Sequence, residues 1–367
     1  MKFSCQRDTI LKELPDSNDF TSQRNTVTML ANACIILSGN NLTIKTTDQK
    51  MGYVSDIAVN GIENGTVAVA CDKFLEIMKN LPSQEINFSV EDDNLIIIPE
   101  NSTIEFKLRT QDPSAFPNID IPEEQEFFKI AQKDLTDMIN QVSFAVSDDE
   151  SKFAMNGALL ERDESSVIMV GTDGRRLSYI NRSITNSIPQ FSNVTIPAKF
   201  LGIIKKHSVN EGDFEICVTA QSFYVKNGSC VIFSNLIKNE FPAYRRVIPQ
   251  SQTKYCIVNI KALEDAIKRA SLFVESKYKK IYLEFTDNNL IVSTEETNLG
   301  AGREVIPCKY NFEDQKCAMN YTYLLSPLKV MDGDEVKISF SESGRPFTIT
   351  PEPERDYLHV VMPMNLS

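Results

Sequence analysis

The sequence predicts an α+β protein made of three tandem copies of one domain, and three observations lead to this prediction. The chain has 367 residues, which is too long for one ordinary core and fits three domains of about 120 residues each. An apolar strand followed by Thr-Asp occurs at residues 42–48 and returns 125 residues later before Thr172 and Asp173. A Phe-Pro pair occurs at Phe116 and again at Phe241, also 125 residues apart.

Each copy is predicted to contain a strand, a helix, several strands, a second helix and a final hairpin. In the first copy, residues 2–5 alternate as a strand, and Asp8 precedes a capped helix that should end at Pro15. The second helix is predicted over residues 71–78, where apolar residues recur at helical spacing. A β-rich sheet covered by two helices is the simplest packing for such a domain.

The second copy contains the stretch around which the chain is organised, residues 171–177. The preceding residues 166–170 form a β-branched apolar run typical of a buried strand, and Leu177 resumes the apolar pattern after the stretch. Between the two runs, Asp173 can accept hydrogen bonds from the turn backbone, and Gly174 is free to adopt a positive φ. The segment therefore predicts a β-hairpin.

The remaining elements follow the same order. The second copy opens with a strand at residues 127–130 and helices at 134–139 and 197–204. The third copy repeats the strand at 255–258, the helices at 263–267 and 320–325, and a weaker Thr-Glu form of the hairpin landmark at 290–295. Polar linkers after each Phe-Pro pair divide the chain into domains at residues 1–123, 124–250 and 251–367.

Composition limits the classes of function. The formal charge of −12 should repel nucleic acid on average, so any nucleic-acid binding is expected on one face only. The eight cysteines include no Cys-x-x-Cys pair, which favours buried reduced thiols over disulfides or a metal site. There is no signal-peptide pattern and no apolar run near 18 residues, so we expect a soluble protein of the cytoplasm that does not bind membranes.

The residue pattern does not predict a catalytic site. The two histidines, His207 and His359, lie far apart in the sequence without partners at metal or triad spacing. The acidic run at residues 148–150 is typical of a solvated loop, and no glycine-rich phosphate loop follows a strand. We therefore expect a binding or scaffolding protein without a metal or other cofactor.

Basic residues recur on the helices of all three copies. A basic helix face without interleaved aromatic residues predicts contacts to phosphates without base readout, although ordinary solvated helix faces would show the same residues. The residues are Lys12, Lys73 and Lys79 in the first copy, Lys199, Lys205 and Lys206 in the second, and Lys261, Lys268 and Arg269 in the third.

Three motifs together resemble one known family. They are Thr-Asp-Gly-Arg-Arg-Leu at residues 172–177, Phe-Pro-Ala-Tyr-Arg-Arg-Val-Ile-Pro at 241–249, and Val-Val-Met-Pro-Met-Asn-Leu at 360–366. With the Met-Lys-Phe at residues 1–3, they make the chain similar over its whole length to the bacterial DNA sliding clamp, the β subunit of the DNA polymerase III holoenzyme.

The resemblance implies a fold, an assembly and partners. It implies three clamp domains per subunit, with sheets outside and two helices per domain inside, closing as a head-to-tail homodimeric ring around double-stranded DNA without sequence specificity. It also implies a pocket between the second and third domains for peptide tails. The expected owners of these tails are the polymerase III α subunit, the clamp loader and other proteins with a clamp-binding motif.

The resemblance also assigns site residues. The implied peptide pocket comprises Met155, Thr172, Gly174, Arg175, Leu177, Pro242, Arg246, Val247, Asn320, Tyr323, Val360 and Met362. The implied dimer interface comprises Phe106 and Leu108 in the first domain and Leu272 and Phe273 in the third. Arg24 matches a position near DNA, and with Lys199, Lys205, Lys206, Lys268 and Arg269 it forms the predicted DNA-facing set.

Two other functions are compatible with the sequence. One is an enzyme that uses Asp173 or Asp48 as a base, but a catalytic aspartate should not recur equivalently in several copies. The other is a monomeric adaptor that binds peptides and no DNA. The mass of the particle in solution separates the ring from both alternatives.

Overall fold

The structure, a computed structural model, describes residues 1–22, 28–123, 126–184, 187–275, 277–298, 300–342 and 344–366. It comprises two compact units, one of residues 1–130 and 212–236 and the other of residues 131–211 and 237–367. Each unit is built on one continuous sheet. Of the helices in the described residues, none has the length and apolar character needed to cross a membrane.

The order of elements repeats three times along the chain. The first copy contains β1 (Lys2–Gln6), α1 (Arg7–Asn18), β2 (Asn32–Ser38), β3 (Asn41–Thr47), β4 (Met51–Ala58), β5 (Asn60–Glu63), β6 (Gly65–Ala70), α2 (Cys71–Asn80), β7 (Glu85–Glu91), β8 (Asn94–Pro99) and β9 (Phe106–Gln111). The second contains β10 (Phe128–Ala131), α3 (Gln132–Ser143), β11 (Gly157–Asp163), β12 (Ser166–Thr172), β13 (Arg176–Ser183), β14 (Val194–Pro197), α4 (Ala198–Lys206), β15 (Asp213–Val218), β16 (Ser222–Asn227) and β17 (Cys230–Asn235). The third contains β18 (Lys254–Asn259), α5 (Ile260–Ser271), β19 (Lys280–Thr286), β20 (Asn289–Ser293), β21 (Arg303–Lys309), β22 (Gln315–Asn320), α6 (Tyr321–Leu328), β23 (Glu335–Phe340), β24 (Phe347–Glu352) and β25 (Tyr357–Val361).

The predicted α+β class with two helices per copy is confirmed, and two details differ. Each copy ends in three strands rather than a hairpin, as β7–β8–β9 shows in the first copy. Helix α1 continues through Pro15 to Asn18, and Asp8 lies in its first turn instead of capping it. A proline inside a helix removes one backbone hydrogen bond. The burial of Ile10 and Leu14, each fully inaccessible, stabilises the helix in spite of that loss.

The sheets do not stop at the borders of the copies. In the first unit the strand order is β10-β15-β16-β17-β4-β3-β2-β6-β9-β8-β7-β1-β5, so β17 of the second copy pairs with β4 of the first. In the second unit the order is β14-β11-β12-β13-β25-β24-β23-β18-β21-β20-β19-β22, so β13 of the second copy pairs with β25 of the third. The two compact units therefore differ from the three copies of the repeat.

Each helix pair packs against its sheet through an apolar core. In the first copy, Phe74 and Met78 of α2 join the residues of α1 and the sheet in one buried cluster. In the third copy, Leu263 and Ile267 of α5 and Leu324 of α6 occupy the equivalent place. Because side chains three and four residues apart share one helix face, the opposite faces of these helices remain available to solvent.

The hairpin landmark of the sequence is repeated at the level of single hydrogen bonds. The hydroxyl of Thr172 donates to the carbonyl of Arg176 at 2.6 Å, and the hydroxyl of Thr47 donates to the carbonyl of Met51 at 2.6 Å. In both turns the aspartate that follows the threonine accepts two backbone N–H bonds, at 2.8 and 3.1 Å for Asp173 and at 2.9 and 2.8 Å for Asp48. In the third copy the connection is longer, since β20 ends at Ser293 and β21 begins at Arg303.

Two glycines of the central hairpin have defined roles. Gly174 has φ +88°, which L side chains rarely adopt. A Cβ at Gly171 would lie 2.5 Å from the carbonyl oxygen of Val142, so glycine permits the close approach of α3 to β12. The sequence predicted a buried strand over residues 166–170, and all seven residues of β12 (Ser166–Thr172) are buried.

Candidate functional site

An apolar cavity of about 270 Å³ lies in the second unit, where four separated stretches of the chain meet. We refer to it as the apolar cavity. It is lined by Met155, Thr172, Gly174, Arg175, Arg176, Leu177, Pro242, Ala243, Tyr244, Val247, Val360 and Met362. Most of these side chains are apolar, as is typical of sites that bind small molecules or peptide side chains.

The pairing of β13 with β25 forms the floor of the apolar cavity. Leu177 lies directly opposite Val360 in this ladder, and both side chains are 3% exposed. The backbone N–H of Met362 donates to the carbonyl of Arg175 at 2.9 Å and extends the ladder to the rim. Met362 is 40% exposed and Val247 49%, so the floor is buried while apolar side chains at the rim face solvent.

Charged contacts hold the hairpin at the rim in place. The Nε of Arg176 lies 3.0 Å from Oδ2 of Asp173, and both side chains are 15% exposed. The guanidinium of Arg176 also lies 4.6 Å from the centre of the Tyr323 ring, a cation–π contact. Lys152 donates to the carbonyl of Asp173 at 2.9 Å. The guanidinium of Arg176 is therefore held by contacts with Asp173 and Tyr323, whereas the side chain of the neighbouring Arg175 is exposed at the rim.

The opposite wall of the apolar cavity is a short turn at residues 242–247. Backbone hydrogen bonds from Tyr244 to Pro242, from Arg246 to Ala243 and from Val247 to Tyr244 close the turn on itself. Tyr244 points inward, is 5% exposed and belongs to the same buried cluster as Leu177 and Val360. Burial raises the pKa of the Tyr244 phenol, and its hydrogen bond to the Glu161 carboxylate raises it further.

Nine of the twelve residues that the resemblance assigned to the pocket line the apolar cavity. The three that do not are Arg246, Asn320 and Tyr323. Arg246 lines a separate cavity of about 340 Å³ behind the turn. The side-chain Oδ1 of Asn320 caps α6 by accepting from the backbone N–H of Thr322 at 2.9 Å. The sequence prediction omitted Arg176, Ala243 and Tyr244, which lie in the same two motifs.

Asn320 and Tyr323 line a wider cavity of about 680 Å³. This wide cavity shares Arg175 and Met362 with the apolar cavity, so the two are adjacent. Its other wall includes Phe273 and Tyr278 from the segment after α5. A chain bound across both cavities would pass Met362 and Arg175 at their common rim.

The predicted DNA-facing residues lie on exposed helix faces, as far as they are described. Lys199, Lys205 and Lys206 are exposed on α4, which contains no acidic residue. On α5, Lys268 pairs with Glu264 at 2.6 Å, and the Nε of Arg269 donates to Glu304 at 2.8 Å. Arg24 lies outside the described residues.

The predicted dimer-interface residues lie beside two open strand edges. Within the described chain, residues 106–109 of β9 pair with β8 only, and residues 303–307 of β21 pair with β20 only. Phe106 is 37% exposed and Leu272, just after α5, is 76% exposed. Leu108 and Phe273 are half-buried. Open edges flanked by exposed apolar side chains are typical of surfaces that pair with another chain.

Three tandem α+β copies, with an apolar cavity over the paired strands β13 and β25, define the class of the protein as a sliding clamp. Three family models match the chain in succession: the N-terminal domain of the DNA polymerase III beta subunit at residues 1–120, its central domain at 129–243 and its C-terminal domain at 245–365. The chain belongs to the DNA polymerase III beta subunit family.

Individual relatives agree with this assignment. The beta sliding clamp of Treponema pallidum is 35% identical over 99% of this chain and 99% of its own length. The sliding clamp of Bacillus subtilis, solved by crystallography, superposes with a TM-score of 0.94 at 25% identity and full coverage of both chains. The Pseudomonas aeruginosa clamp, solved with griselimycin bound, gives a TM-score of 0.93 at 26% identity, again with full coverage of both chains.

Proposed function

We propose that this sliding clamp encircles duplex DNA as a head-to-tail homodimer and tethers the replicative polymerase and other DNA-processing proteins to it. The family assignment supports this function, because a ring of this kind keeps a bound enzyme near its template at high effective concentration. We propose further that the clamp acts in the cytoplasm, requires no cofactor and catalyses no reaction. Three domains with borders near residues 123 and 250 are part of the proposal.

The peptide site is proposed at the apolar cavity, and one observation carries this assignment. Apolar side chains with a buried floor and an exposed rim meet there on a protein of net charge −12. Exposed apolar patches on soluble proteins are typically binding surfaces. A leucine or aromatic side chain of a partner would fill the cavity over Leu177 and Val360, and Arg175 at the rim would hold a polar or acidic group of the same peptide.

The proposed partners that carry such peptide segments are the polymerase III α subunit, the clamp loader and other proteins with a clamp-binding motif. The griselimycin complex of the Pseudomonas aeruginosa clamp supports the idea that this fold binds ligands of other kinds besides DNA. Arg246, Asn320 and Tyr323 belong to the proposed site as outlying residues. Asn320 and Tyr323 would contact the part of a peptide that leaves the apolar cavity past Met362 into the wide cavity.

DNA binding is proposed through the exposed basic faces of α4 and α5, with Arg24 added from the resemblance. Lysines that face phosphates attract duplex DNA almost uniformly along its length, so a ring can slide without a sequence-dependent barrier. The acidic character of the whole chain disfavours DNA binding elsewhere on its surface.

Ring closure is proposed through the two open edges. Residues 106–109 of β9 in one subunit would pair with residues 303–307 of β21 in the other, because both edges carry unpaired backbone groups. Phe106 and Leu108 of one subunit would then pack near Leu272 and Phe273 of the other. Such an interface joins different surfaces head to tail, and it closes as a ring when the rotation permits.

Substitution of Met362 tests the peptide site. Met362→Ala should weaken binding of a Gln-Leu-containing polymerase tail by about 10- to 100-fold, as truncation of an anchor side chain does. Isothermal titration calorimetry measures the affinity, and Val209→Ala, at a residue that is 71% exposed and outside the cavity, is the control. Equal affinity of the Met362→Ala variant and the wild type would place the peptide site elsewhere.

Deletion of residues 360–367 is a less suitable test. Val360 and Val361 are buried residues of β25 that pair with β13, so the deletion would also remove part of the sheet. The single substitution leaves the ladder intact, since Met362 uses its backbone N–H to bond Arg175.

The two alternatives to a ring differ from it in solution mass. A chain of 41.4 kDa that acts as an enzyme or a monomeric adaptor would sediment as a monomer, whereas a ring would sediment at about twice that mass. Retention on circular but not on linear DNA separates a ring from an ordinary DNA-binding dimer.

A further inference from the structure

The turn at residues 242–247 forms one wall of the apolar cavity, and its backbone hydrogen bonds run inside the turn. Pro242 and Val247 face the cavity at the two ends of this turn. A wall of this kind needs a contact to the rest of the fold, since a self-contained turn can tilt as a unit and change the width of the cavity.

Glu161 provides such a contact. It lies in β11, opposite Ile168 of β12, and its side chain is 17% exposed. Its Oε2 accepts the hydroxyl of Tyr244 at 2.8 Å, and its Oε1 accepts the guanidinium of Arg245. One carboxylate therefore bonds two consecutive residues of the turn to the central sheet.

The environment of Tyr244 makes this contact important. The phenol is buried, and a buried hydroxyl without a hydrogen-bond partner is costly. The ring of Tyr244 packs in one cluster with Leu177 and Val360, which form the floor of the apolar cavity. It also lies 6.2 Å from the ring of Tyr179 and 5.1 Å from the guanidinium of Arg245. A shift of Tyr244 therefore moves the wall and disturbs the floor together.

We infer that Glu161 is a positioning residue for peptide binding: it fixes the turn at residues 242–247 through Tyr244 and Arg245 and so holds the apolar cavity at its binding width. This inference rests on the proposed function of the cavity. Glu161 itself lies behind the wall and does not line the apolar cavity. Its contribution to affinity is preorganisation, because the wall is ordered before the peptide arrives.

The inference predicts a specific pattern among variants. Glu161→Ala should weaken binding of the same polymerase tail by about tenfold, because the variant loses the charge-assisted hydrogen bonds that order the site. Glu161→Gln keeps an acceptor for the Tyr244 hydroxyl and should bind within about threefold of the wild type. The double variant Glu161→Ala with Tyr244→Phe should bind no more weakly than Glu161→Ala alone, because residues that act through one contact are not additive.

Hydrogen exchange separates positioning from general stability. In Glu161→Ala, the amides of Arg246 and Val247 should exchange faster, whereas the amides of the β11–β12 ladder should keep their wild-type rates. Glu164→Ala is the matched control, since Glu164 is an exposed carboxylate at the β11–β12 turn. It should change neither the affinity nor the exchange rates.

Several results would overturn the inference. They are wild-type affinity in Glu161→Ala, equal losses in Glu161→Ala and Glu161→Gln, and faster exchange throughout the second unit. Met362→Ala, measured beside these variants, distinguishes the two levels of failure. If Met362→Ala weakens peptide binding and Glu161→Ala does not, only the positioning role is wrong. If neither substitution weakens it, the proposed cavity is not the peptide site.

Discussion

At the scale of single residues, His359 illustrates how burial fixes a protonation state. Its side chain is fully buried in β25, and its Nδ1 lies 2.8 Å from the hydroxyl of Ser178 in β13. The rings of Phe144 and Tyr357 lie 5.5 and 5.7 Å from the imidazole. Burial in this setting lowers the pKa of His359 to about 3, because the charged form would lose its hydration.

The lowered pKa predicts a loss of stability in mild acid. The folded chain keeps His359 neutral down to about pH 3, whereas the unfolded chain protonates it below about pH 6.5. The unfolded state therefore binds one more proton in this range, and the free energy of unfolding falls as the pH falls. From pH 7 to pH 5, wild type should lose about 2 kcal/mol more than His359→Asn, which keeps a polar group near Ser178 but does not titrate.

Urea titrations of both proteins at the two pH values measure this difference. Other titrating groups contribute equally to both proteins and cancel in the comparison. Parallel pH dependence of wild type and variant would show that His359 is not neutral in the folded chain or is not buried in solution.

Some residues of the site could be predicted from sequence and others could not. Leu177 and Val360 were assigned to the pocket by resemblance, because they lie in two of the short motifs that carry it, at residues 172–177 and 360–366. Glu161 was not, since a glutamate near a strand end reads as solvent-facing, and its partners Tyr244 and Arg245 follow more than 80 residues later. Asn320 was assigned to the pocket by resemblance, and the sequence did not show that its side-chain Oδ1 caps α6.

At the scale of elements, the repeated turn offers a matched comparison within one molecule. Gly174 has φ +88°, and Gln49, its counterpart 125 residues earlier, has φ +73°. No atom lies within 4 Å of a Cβ placed on Gly174, so only backbone strain opposes a side chain there. Gly174→Ala should lower the free energy of unfolding by about 1 kcal/mol.

Gln49→Ala is the control for this substitution. Its exposed side chain already occupies the left-handed region, so removing it should change the free energy of unfolding by less than about 0.5 kcal/mol. Chemical denaturation of wild type and both variants measures these changes in the free energy of unfolding. A cost at Gln49→Ala that equals the cost at Gly174→Ala would mean that the side chains, and not the positive φ, determine the stability of these turns.

The helices predict opposite effects on DNA binding from two kinds of charge change. Lys205→Glu with Lys206→Glu places negative charge on the basic face of α4 and should shorten the residence of loaded clamp on circular DNA. Glu264→Gln with Glu304→Gln removes the carboxylates that pair with Lys268 and Arg269 and should lengthen it. The freed cations should also make the salt dependence of binding steeper.

Residence times measured at several salt concentrations test both changes. If the lysine reversal and the removal of the carboxylates each leave the residence time unchanged, the exposed faces of α4 and α5 are solvated and do not contact DNA. The sequence predicted the basic residues of these helices. It did not predict the pairing of Arg269 with Glu304, because that pair joins a helix to a distant strand.

At the scale of the whole molecule, the open edges of β9 and β21 predict the assembly. Leu272→Ala with Phe106→Ala removes apolar side chains that are 76% and 37% exposed beside these edges. Because a closed ring contains the interface twice, the loss counts twice, and the dissociation constant of the dimer should rise by about 100-fold or more. The domains should stay folded, since Leu272 lies outside the buried core of the third copy.

Analytical ultracentrifugation over nanomolar to micromolar concentrations measures this constant. Ile62→Ala, at a residue that is 67% exposed and away from both edges, controls for the loss of surface apolar area. A dimer that persists unchanged at nanomolar concentration in the double variant would contradict this interface.

The pairing of β17 with β4 and of β13 with β25 has a consequence for how the chain can be divided. The middle copy contributes four strands to each of the two sheets, so excising it leaves β17 without β4 and β13 without β25. An excised middle copy would expose the unpaired edges of two apolar strands, and such edges lead isolated fragments to aggregate. The repeated unit of the sequence is therefore not a unit that can be expressed alone. A gene divided at the borders of the copies yields fragments with interrupted sheets. Fragments intended to fold must keep β17 with β4 and β13 with β25.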